Sequence, residues 1–352
     1  MAYTAINKPT DHFNTVLYTG DGNDGRTVTG VGFQPDFVWL KSRSEAEHHT
    51  LNDSVRGANN QIYSHLAYSN ATDTDRLQSF DSDGFTLGTD VIVNKNTETF
   101  VSWNWKAGTT GSGTTTGSGT GKAYSYSVNT TAGFSIVKYV GNQTAGHTIP
   151  HHLGAKPDAI LVKHLDDGQQ WATQWSPLGA TKVMRFATTN AVSDSNTRWN
   201  DTEPTSTVFT LGTEHEGNTN DGNHIAFCFT NIKGYSKIGK YTGNGDADGP
   251  FIYTGFKPAW LMVKQTDASG EGWYMWDNKR SSSSGANEND RYLIASANNA
   301  EGTLGVDCDF LSNGFKHYYS ADASNGSGHS YIYMAFAESP FVTSKGIPTT
   351  AR

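Results

Sequence analysis

The sequence predicts an all-β protein built from three tandem antiparallel β-sandwich modules. Composition is the first observation, because Gly supplies 38 of the 352 residues and aromatic residues supply 12%. The second is the pattern along the chain, where short runs of Val, Ile, Phe, Tyr and Trp alternate with Gly, Asn, Asp and Ser clusters. The third is a motif that occurs three times.

The repeated motif is a Gly, a Pro three residues later and a Lys six residues after that Pro, around an apolar run. It reads GFQPDFVWLK at 32–41, GAKPDAILVK at 154–163 and GFKPAWLMVK at 255–264. The Pro disfavours a helix at this point and favours an extended backbone leading into the apolar run. The apolar run is continuous, which is typical of a strand covered on both faces. The motif therefore predicts a central core strand of a recurring module.

The spacing of the copies sets the module boundaries. Pro35 and Pro157 are 122 residues apart, whereas Pro157 and Pro258 are 101 apart. The excess is a Gly/Thr/Ser segment, which cannot bury apolar area and predicts a flexible linker. Modules two and three have almost no linker between them and are expected to pack together. The predicted parts are module one at 1–106, the linker at 107–123, module two at 124–233 and module three at 234–352.

Charge and composition exclude several classes of protein. The net charge is −8 and no run of even four Lys or Arg residues is present, so nucleic-acid binding is not expected. No apolar stretch approaches the length of a membrane span, and the first residues do not look like a secretory signal. The two cysteines, Cys228 and Cys308, fall in different modules, so neither a disulfide scaffold nor a cysteine zinc site is expected. These features fit assembly in a cytoplasm.

No catalytic constellation stands out. A glycosidase needs two carboxylates across a bond, and the matched pair Asp36 and Asp158 has Ala259 as its third counterpart. The histidine doublets at 48–49 and 151–152 lack chelating spacing and are interpreted as loop residues. The expectation is a protein that is not an enzyme and uses no cofactor, with a polysaccharide-degrading enzyme as a remote alternative.

One loop resembles the start of a calcium site. In NGDADG, the residues Asn244, Asp246 and Asp248 alternate before a Gly, as in an EF-hand loop. The continuation supplies no closing carboxylate. A hairpin loop is therefore the favoured interpretation, and the three residues remain a weak metal candidate.

Aromatic residues beside polar loops give the candidate ligand site. Tryptophan and tyrosine near polar residues suit stacking on a sugar, but they equally suit the core of a sandwich. Copy one has HHTLNDSVRG at the corresponding place, and this variation among copies favours an adapted surface. The candidate ligand-binding residues are Trp171, Trp175, Trp273, Tyr274 and Trp276.

Several segments resemble modules found in tail and other structural proteins of marine and cyanobacterial bacteriophages. The resemblance covers about residues 4–340 and is clearest in copies one and two. The module is similar to lectin-like or laminin-G-like sandwiches, so the resemblance implies sandwiches of the jelly-roll or lectin-like kind. The segments that carry it are INKPTDHFNTVLYTG, GVGFQPDFVWLKSRS, NDSVRGA, FDSDGFTLG, FVSWNWKAG and GFSIVKYVGNQTAGHTIPHHLGAKPDAILVK.

This resemblance implies a place on a virion more firmly than an activity. The expected function is a non-enzymatic structural protein on the particle surface, of the tail-fibre or adhesin type, that contacts host-surface glycan or protein. Many copies per particle would supply avidity, and a homo-oligomer is expected. The chain has no coiled-coil heptads, which favours the alternative of a capsid decoration or tail-assembly protein that binds only neighbouring virion proteins.

Overall fold

The computed structural model describes residues 3–281, 287–303 and 308–349. Within these ranges the structure is dominated by antiparallel strands, and the prediction of an all-β fold is confirmed. No helix in the described ranges is long and apolar enough to cross a membrane. The helical elements are one 3-10 turn, Pro9–Asp11, and three single turns, α1 (Val91–Asn94), α2 (Asn196–Trp199) and α3 (His215–Asn218).

The first module contains two sheets. Its strands are β1 (Phe13–Thr19), β2 (Arg26–Thr29), β3 (Phe37–Ser42), β4 (Thr50–Asp53), β5 (Asn60–Ile62), β6 (Ala71–Thr72), β7 (Leu77–Asp81), β8 (Gly84–Leu87) and β9 (Thr99–Trp105). The large sheet has the order β1-β9-β3-β4-β5-β6, and the small sheet has the order β2-β8-β7.

The second module has the same plan with extra strands at its start. Its strands are β10 (Thr109–Thr114), β11 (Thr116–Gly117), β12 (Ala123–Asn129), β13 (Phe134–Val140), β14 (His147–Pro150), β15 (Ala159–His164), β16 (Ala172–Trp175), β17 (Lys182–Arg185), β18 (Ser193–Asp194), β19 (Val208–Leu211) and β20 (Asn223–Phe229). The sheets run β10-β12-β13-β20-β15-β16-β17-β18 and β11-β14-β19.

The third module repeats the plan again. Its strands are β21 (Ser236–Thr242), β22 (Phe251–Tyr253), β23 (Phe256–Gln265), β24 (Tyr274–Asp277), β25 (Glu288–Asn289), β26 (Leu293–Ile294), β27 (Cys308–Leu311), β28 (Gly314–His317) and β29 (Ser330–Pro340). The sheets run β21-β29-β23-β24-β26 and β22-β28-β27-β25.

The motif strand is central in every module, as predicted. β3, β15 and β23 each lie between the closing strand of their module and the next strand of the large sheet. All six residues of β3 and of β15 are buried. Both faces are covered because the small sheet packs on one face of each large sheet and the other two modules pack on the opposite face.

That opposite face forms a central core shared by all three modules. Aromatic rings dominate it, and each ring removes a large apolar area from water. Trp105 shows the sharing, because its ring lies 5.2 Å from Phe37, 6.4 Å from Phe229 and 5.8 Å from Trp260. The central core includes Phe13, Phe37, Trp39, Trp103 and Trp105, then Phe134, Leu161, Trp171, Trp175, Phe227 and Phe229, then Trp260, Met262, Trp273, Met334 and Phe336.

The same contact recurs at each of the three seams between modules. A backbone amide of one module donates to the carbonyl two residues after the motif Lys of another. The three bonds are Asn70 N to Leu165 O (2.7 Å), Val192 N to Thr266 O (2.8 Å) and Glu301 N to Arg43 O (2.8 Å). The modules are therefore arranged as a closed ring with internal threefold pseudosymmetry. The expected contact between modules two and three is present, but it is one of three.

The expectation of a flexible tether is wrong for 109–117. β10 pairs with β12 over six residues, and β11 pairs with β14. Gly111 and Gly113 lie opposite Tyr126 and Tyr124, and a Cβ at Gly111 would lie 2.6 Å from the Tyr126 hydroxyl oxygen. Because glycine has no Cβ, the tyrosine ring can lie across the neighbouring strand. The Gly/Thr/Ser segment is therefore a packed edge strand here.

Candidate functional site

The four candidate tryptophans are core residues, which corrects the interpretation that they form a ligand surface. Trp171, Trp175, Trp273 and Trp276 are 0–1% exposed. The rings of Trp175 and Trp273 stack 5.4 Å apart across the seam between modules two and three. A ring buried in this way cannot stack on a ligand that arrives from solvent.

Tyr274 is half-buried and is held by its neighbours. Its hydroxyl donates to Glu271 Oε2 (3.1 Å), and its ring packs 5.3 Å from Tyr292. Burial and the nearby Glu271 carboxylate raise the pKa of Tyr274. The five candidate residues thus form no common exposed surface.

The weak metal candidate is a turn that its own chain holds. The backbone amide of Asp246 donates to Asn244 Oδ1 (3.0 Å), and that of Asp248 donates to Asp246 Oδ1 (3.0 Å). Asp248 also pairs with Lys316. Within the described residues no group of three metal-ligating side chains is brought together. The geometry is that of the hairpin loop favoured by the sequence.

Asp36 and Asp158 hold the chain where it leaves a module. Asp36 accepts from the Ala107 amide (2.8 Å), and Asp158 accepts from the Asn231 amide (2.8 Å). In the third module the closing strand runs on to Pro340 and pairs along the motif strand, so its counterpart Ala259 has no such turn to hold. The matched carboxylates are therefore structural, and their absence from copy three has a local cause.

The structure does contain a polar cleft at the seam between modules one and two. Its volume is about 460 Å³, which is within the range of small-molecule sites. Seven of its eight lining residues have hydroxyl, amide or charged side chains. The lining residues are Arg56, Asn60, Ser69 and Asn70 from the first module and Lys138, Leu165, Asp166 and Asn223 from the second.

The wall from the first module is fixed by a chain of hydrogen bonds. Arg56 donates from Nε to Asp53 and from Nη1 to Asn70 Oδ1 (2.8 Å), and its side chain is only 2% exposed. Asn70 Nδ2 donates to Asn60 Oδ1 (2.9 Å), and Asn60 Nδ2 donates to the Arg56 carbonyl (2.7 Å). Each side chain is thus locked by its neighbour. Because these side chains are already fixed, they lose little conformational entropy when a ligand binds.

A buried lysine holds this wall against the second module. Lys163, the motif Lys of copy two, donates to the carbonyls of Ala67 (3.2 Å), His164 (3.0 Å) and Gln169 (2.7 Å). Burial lowers the pKa of Lys163 to about 8. Ala67 directly precedes Tyr68, which is 61% exposed and whose ring lies 6.3 Å from that of Tyr63, outside the lining of the cleft.

The wall from the second module carries both signs of charge. The Asp166 carboxylate accepts from the Asn223 amide (2.7 Å) and from Asn223 Nδ2 (3.1 Å). Lys138 lies on β13, and its side chain makes no ion pair or hydrogen bond within the described parts of the chain. The cleft thus offers one hydroxyl, several amides, one held carboxylate and one available ammonium group.

None of these residues was proposed from the sequence. A usable signal existed for Lys138, because it interrupts the apolar face of FSIVKYV on which Phe134 and Ile136 lie. An inward-pointing charge in such a strand needs a polar neighbour or a solvent-filled recess. The residues that line the cleft with Lys138 come from both modules, from Arg56 to Asn223, so the sequence did not indicate whether this lysine has a polar neighbour or a recess.

Comparison with known families gives one match. The family model described as a domain of unknown function (DUF7483) matches residues 8–340, which include all three modules. No curated protein and no solved structure matches the chain. One family unit therefore spans the whole ring.

Proposed function

For this chain, which belongs to the DUF7483 family, we propose a non-enzymatic role in attachment, as a structural protein on the surface of a bacteriophage particle. The phage location rests on the resemblance of its segments to phage tail modules. We also propose that the modules are lectin-like sandwiches. The proposed partners are host-surface glycan and neighbouring virion proteins, with several copies of the chain acting together.

The observation that carries this proposal is the polar cleft between modules one and two. Its wall from the first module is made of side chains, those of Arg56, Asn60 and Asn70, that are already hydrogen-bonded in position. Polyhydroxylated ligands match such a lining, because they both donate and accept hydrogen bonds. A single cleft of this kind binds weakly, and multiple copies on a particle would raise the avidity.

Binding of the purified protein to an array of bacterial surface polysaccharides tests the proposal. Ser69→Trp fills the cleft and is expected to weaken binding at least tenfold. Ser193→Trp places the same ring on exposed strand β18 and is expected to leave binding unchanged. Equal binding by the wild type and Ser69→Trp, or no binding to any polysaccharide, would count against an attachment role.

An exposed aromatic patch favours the second candidate, a capsid decoration or tail-assembly protein. Phe251 and Tyr253 on β22 are 47% and 57% exposed, and the Tyr3 hydroxyl lies 3.3 Å from that of Tyr253. Exposed apolar side chains that cluster suit contact with a neighbouring protein. Cryo-EM of the particle separates the two roles: density at the tail supports attachment, whereas density at regular capsid positions supports decoration.

A further inference from the structure

A second recess adjoins the polar cleft. It has a volume of about 220 Å³ and is lined by residues of β12 and β13 together with Asn223. Lys138 and Asn223 line both spaces, so the two meet at these residues. Together the cleft and the recess form an elongated groove, defined here by the lining residues of both, with Lys138 at its middle.

Strand alternation explains why the recess is open. On β13, Ile136 faces the central core while Val137 and Tyr139 face the small sheet, which places Lys138 on the side of Ile136. Ser125 on β12 lies directly opposite Lys138 in the ladder. The neighbouring position on the same face is Ala123. These small side chains leave space beside the Lys138 stem.

The charges in the groove single out Lys138. The other cation, Arg56, already forms an ion pair with the buried Asp53 carboxylate and donates a hydrogen bond to Asn70. The Asp166 carboxylate is occupied by two donors from Asn223. The Lys138 ammonium has no such partner within the described residues, so it is available to an anionic group of a ligand.

We infer that this groove binds a linear acidic oligosaccharide, with a sugar carboxylate paired to Lys138 and the adjoining sugar units in the cleft and the recess. This inference rests on the proposed attachment function and specifies its ligand. Hydroxyl groups of the unit in the cleft would donate to Asp166 and accept from Asn70 and Asn60. The unit nearest Asp166 is expected to bind through its hydroxyl groups, with its own carboxylate turned towards solvent, because Asp166 would repel that carboxylate.

Calorimetric titration with a galacturonic acid tetrasaccharide, and with its fully methyl-esterified form, tests this inference. Esterification removes the charge and keeps the sugar. The free acid is expected to bind at least tenfold more tightly than the ester, because a charge-assisted hydrogen bond is worth roughly 1.5–3 kcal/mol, which is about ten- to a hundredfold in affinity. Lys138→Gln is expected to abolish that preference.

Lys240→Gln is the matched control. Lys240 occupies the same position of β21 in the third module, where it pairs with Ile332 as Lys138 pairs with Ile225, and it is exposed. This variant is expected to keep the wild-type affinity for both probes. Ser125→Phe fills the recess and is expected to weaken the tetrasaccharide at least tenfold while leaving monomeric galacturonic acid unaffected.

The outcomes separate the groove from the broader function. Equal affinities for the acid and the ester, or an unchanged preference in Lys138→Gln, overturn the acidic groove and leave saccharide attachment standing. Binding of neither probe, together with an empty polysaccharide array, overturns both. Each variant is expected to unfold at the same temperature as the wild type. Such a result would show that a loss of affinity does not come from a loss of the fold.

Discussion

At the scale of single residues, burial of histidine makes the stability of the fold sensitive to acid. His317 is fully buried, with Nε2 lying 3.1 Å from the Tyr241 hydroxyl and Nδ1 without a partner in the described structure. Burial lowers the pKa of His317 to about 3. Burial and the neighbouring His164 lower the pKa of His224 to about 3, and burial lowers that of His151 to about 4. Each of these rings is neutral in the fold at neutral pH.

The free energy of unfolding is therefore expected to fall as the pH drops below about 6.5. The unfolded chain takes up protons at that pH, whereas the folded histidines do so only near pH 3–4, so the stability present above pH 6.5 is progressively lost. The slope approaches about 1.4 kcal/mol per pH unit for each such histidine once the pH is well below 6.5. Urea unfolding at pH 7, 6 and 5 measures it.

His317→Asn is the control for this slope. The amide can keep a hydrogen bond with Tyr241 but does not titrate, so the variant is expected to lose about one histidine's share of the pH dependence. A free energy of unfolding that stays constant from pH 7 to pH 5 would contradict the prediction.

At the scale of elements, strand β10 shows how glycine can build a sheet edge. Its glycines lie opposite Tyr126 and Tyr124, whose rings occupy the space that a Cβ would need. The ring of Tyr126 also stacks on His152 at 3.7 Å. Cross-strand packing of an aromatic ring on glycine compensates for the poor strand propensity of that residue. The segment is thereby fixed to the second module.

We expect trypsin to cleave the native protein slowly after Lys122, because this residue follows the β10–β11 segment and pairs with Asp221. Gly111→Val displaces the Tyr126 ring and is expected to speed cleavage there. Thr110→Val, at an exposed position opposite Ser127, is the control and is expected to change little. Rapid cutting of the wild type into two fragments would show a flexible tether instead.

At the scale of the whole molecule, the shared central core makes the three modules one body. Trp105 of the first module packs against Phe229 of the second and against Trp260 and Phe336 of the third. The Trp103 indole also donates to Asp277 Oδ2 (2.9 Å) in the third module. A module removed from the ring would expose this aromatic face to water, which is costly.

The chain is accordingly expected to unfold in a single calorimetric transition, with equal calorimetric and van't Hoff enthalpies. Trp105→Ala creates a cavity where the modules meet and is expected to cost about 3–5 kcal/mol. Scanning calorimetry of both proteins measures this. Separate transitions for the modules of the wild type would contradict a shared core.

The sequence by itself determined the all-β class, the threefold repeat and the central position of the motif strand. These features are local: Pro and Gly punctuation fixes where a strand begins, and an unbroken apolar run such as 37–40 shows that both its faces are covered. Repetition of the same local pattern then gives three similar sandwiches.

Only the tertiary structure decided what covers the second face of each large sheet, and this changed the meaning of the candidate residues. Trp171 and Trp273 are buried by other modules, and a tryptophan pattern is the same whether the covering surface is protein or solvent. The cleft likewise brings Arg56 beside Asn223, which are distant in the chain. Such contacts depend on how whole modules pack, and packing depends on the summed shape of three surfaces, which no local pattern encodes.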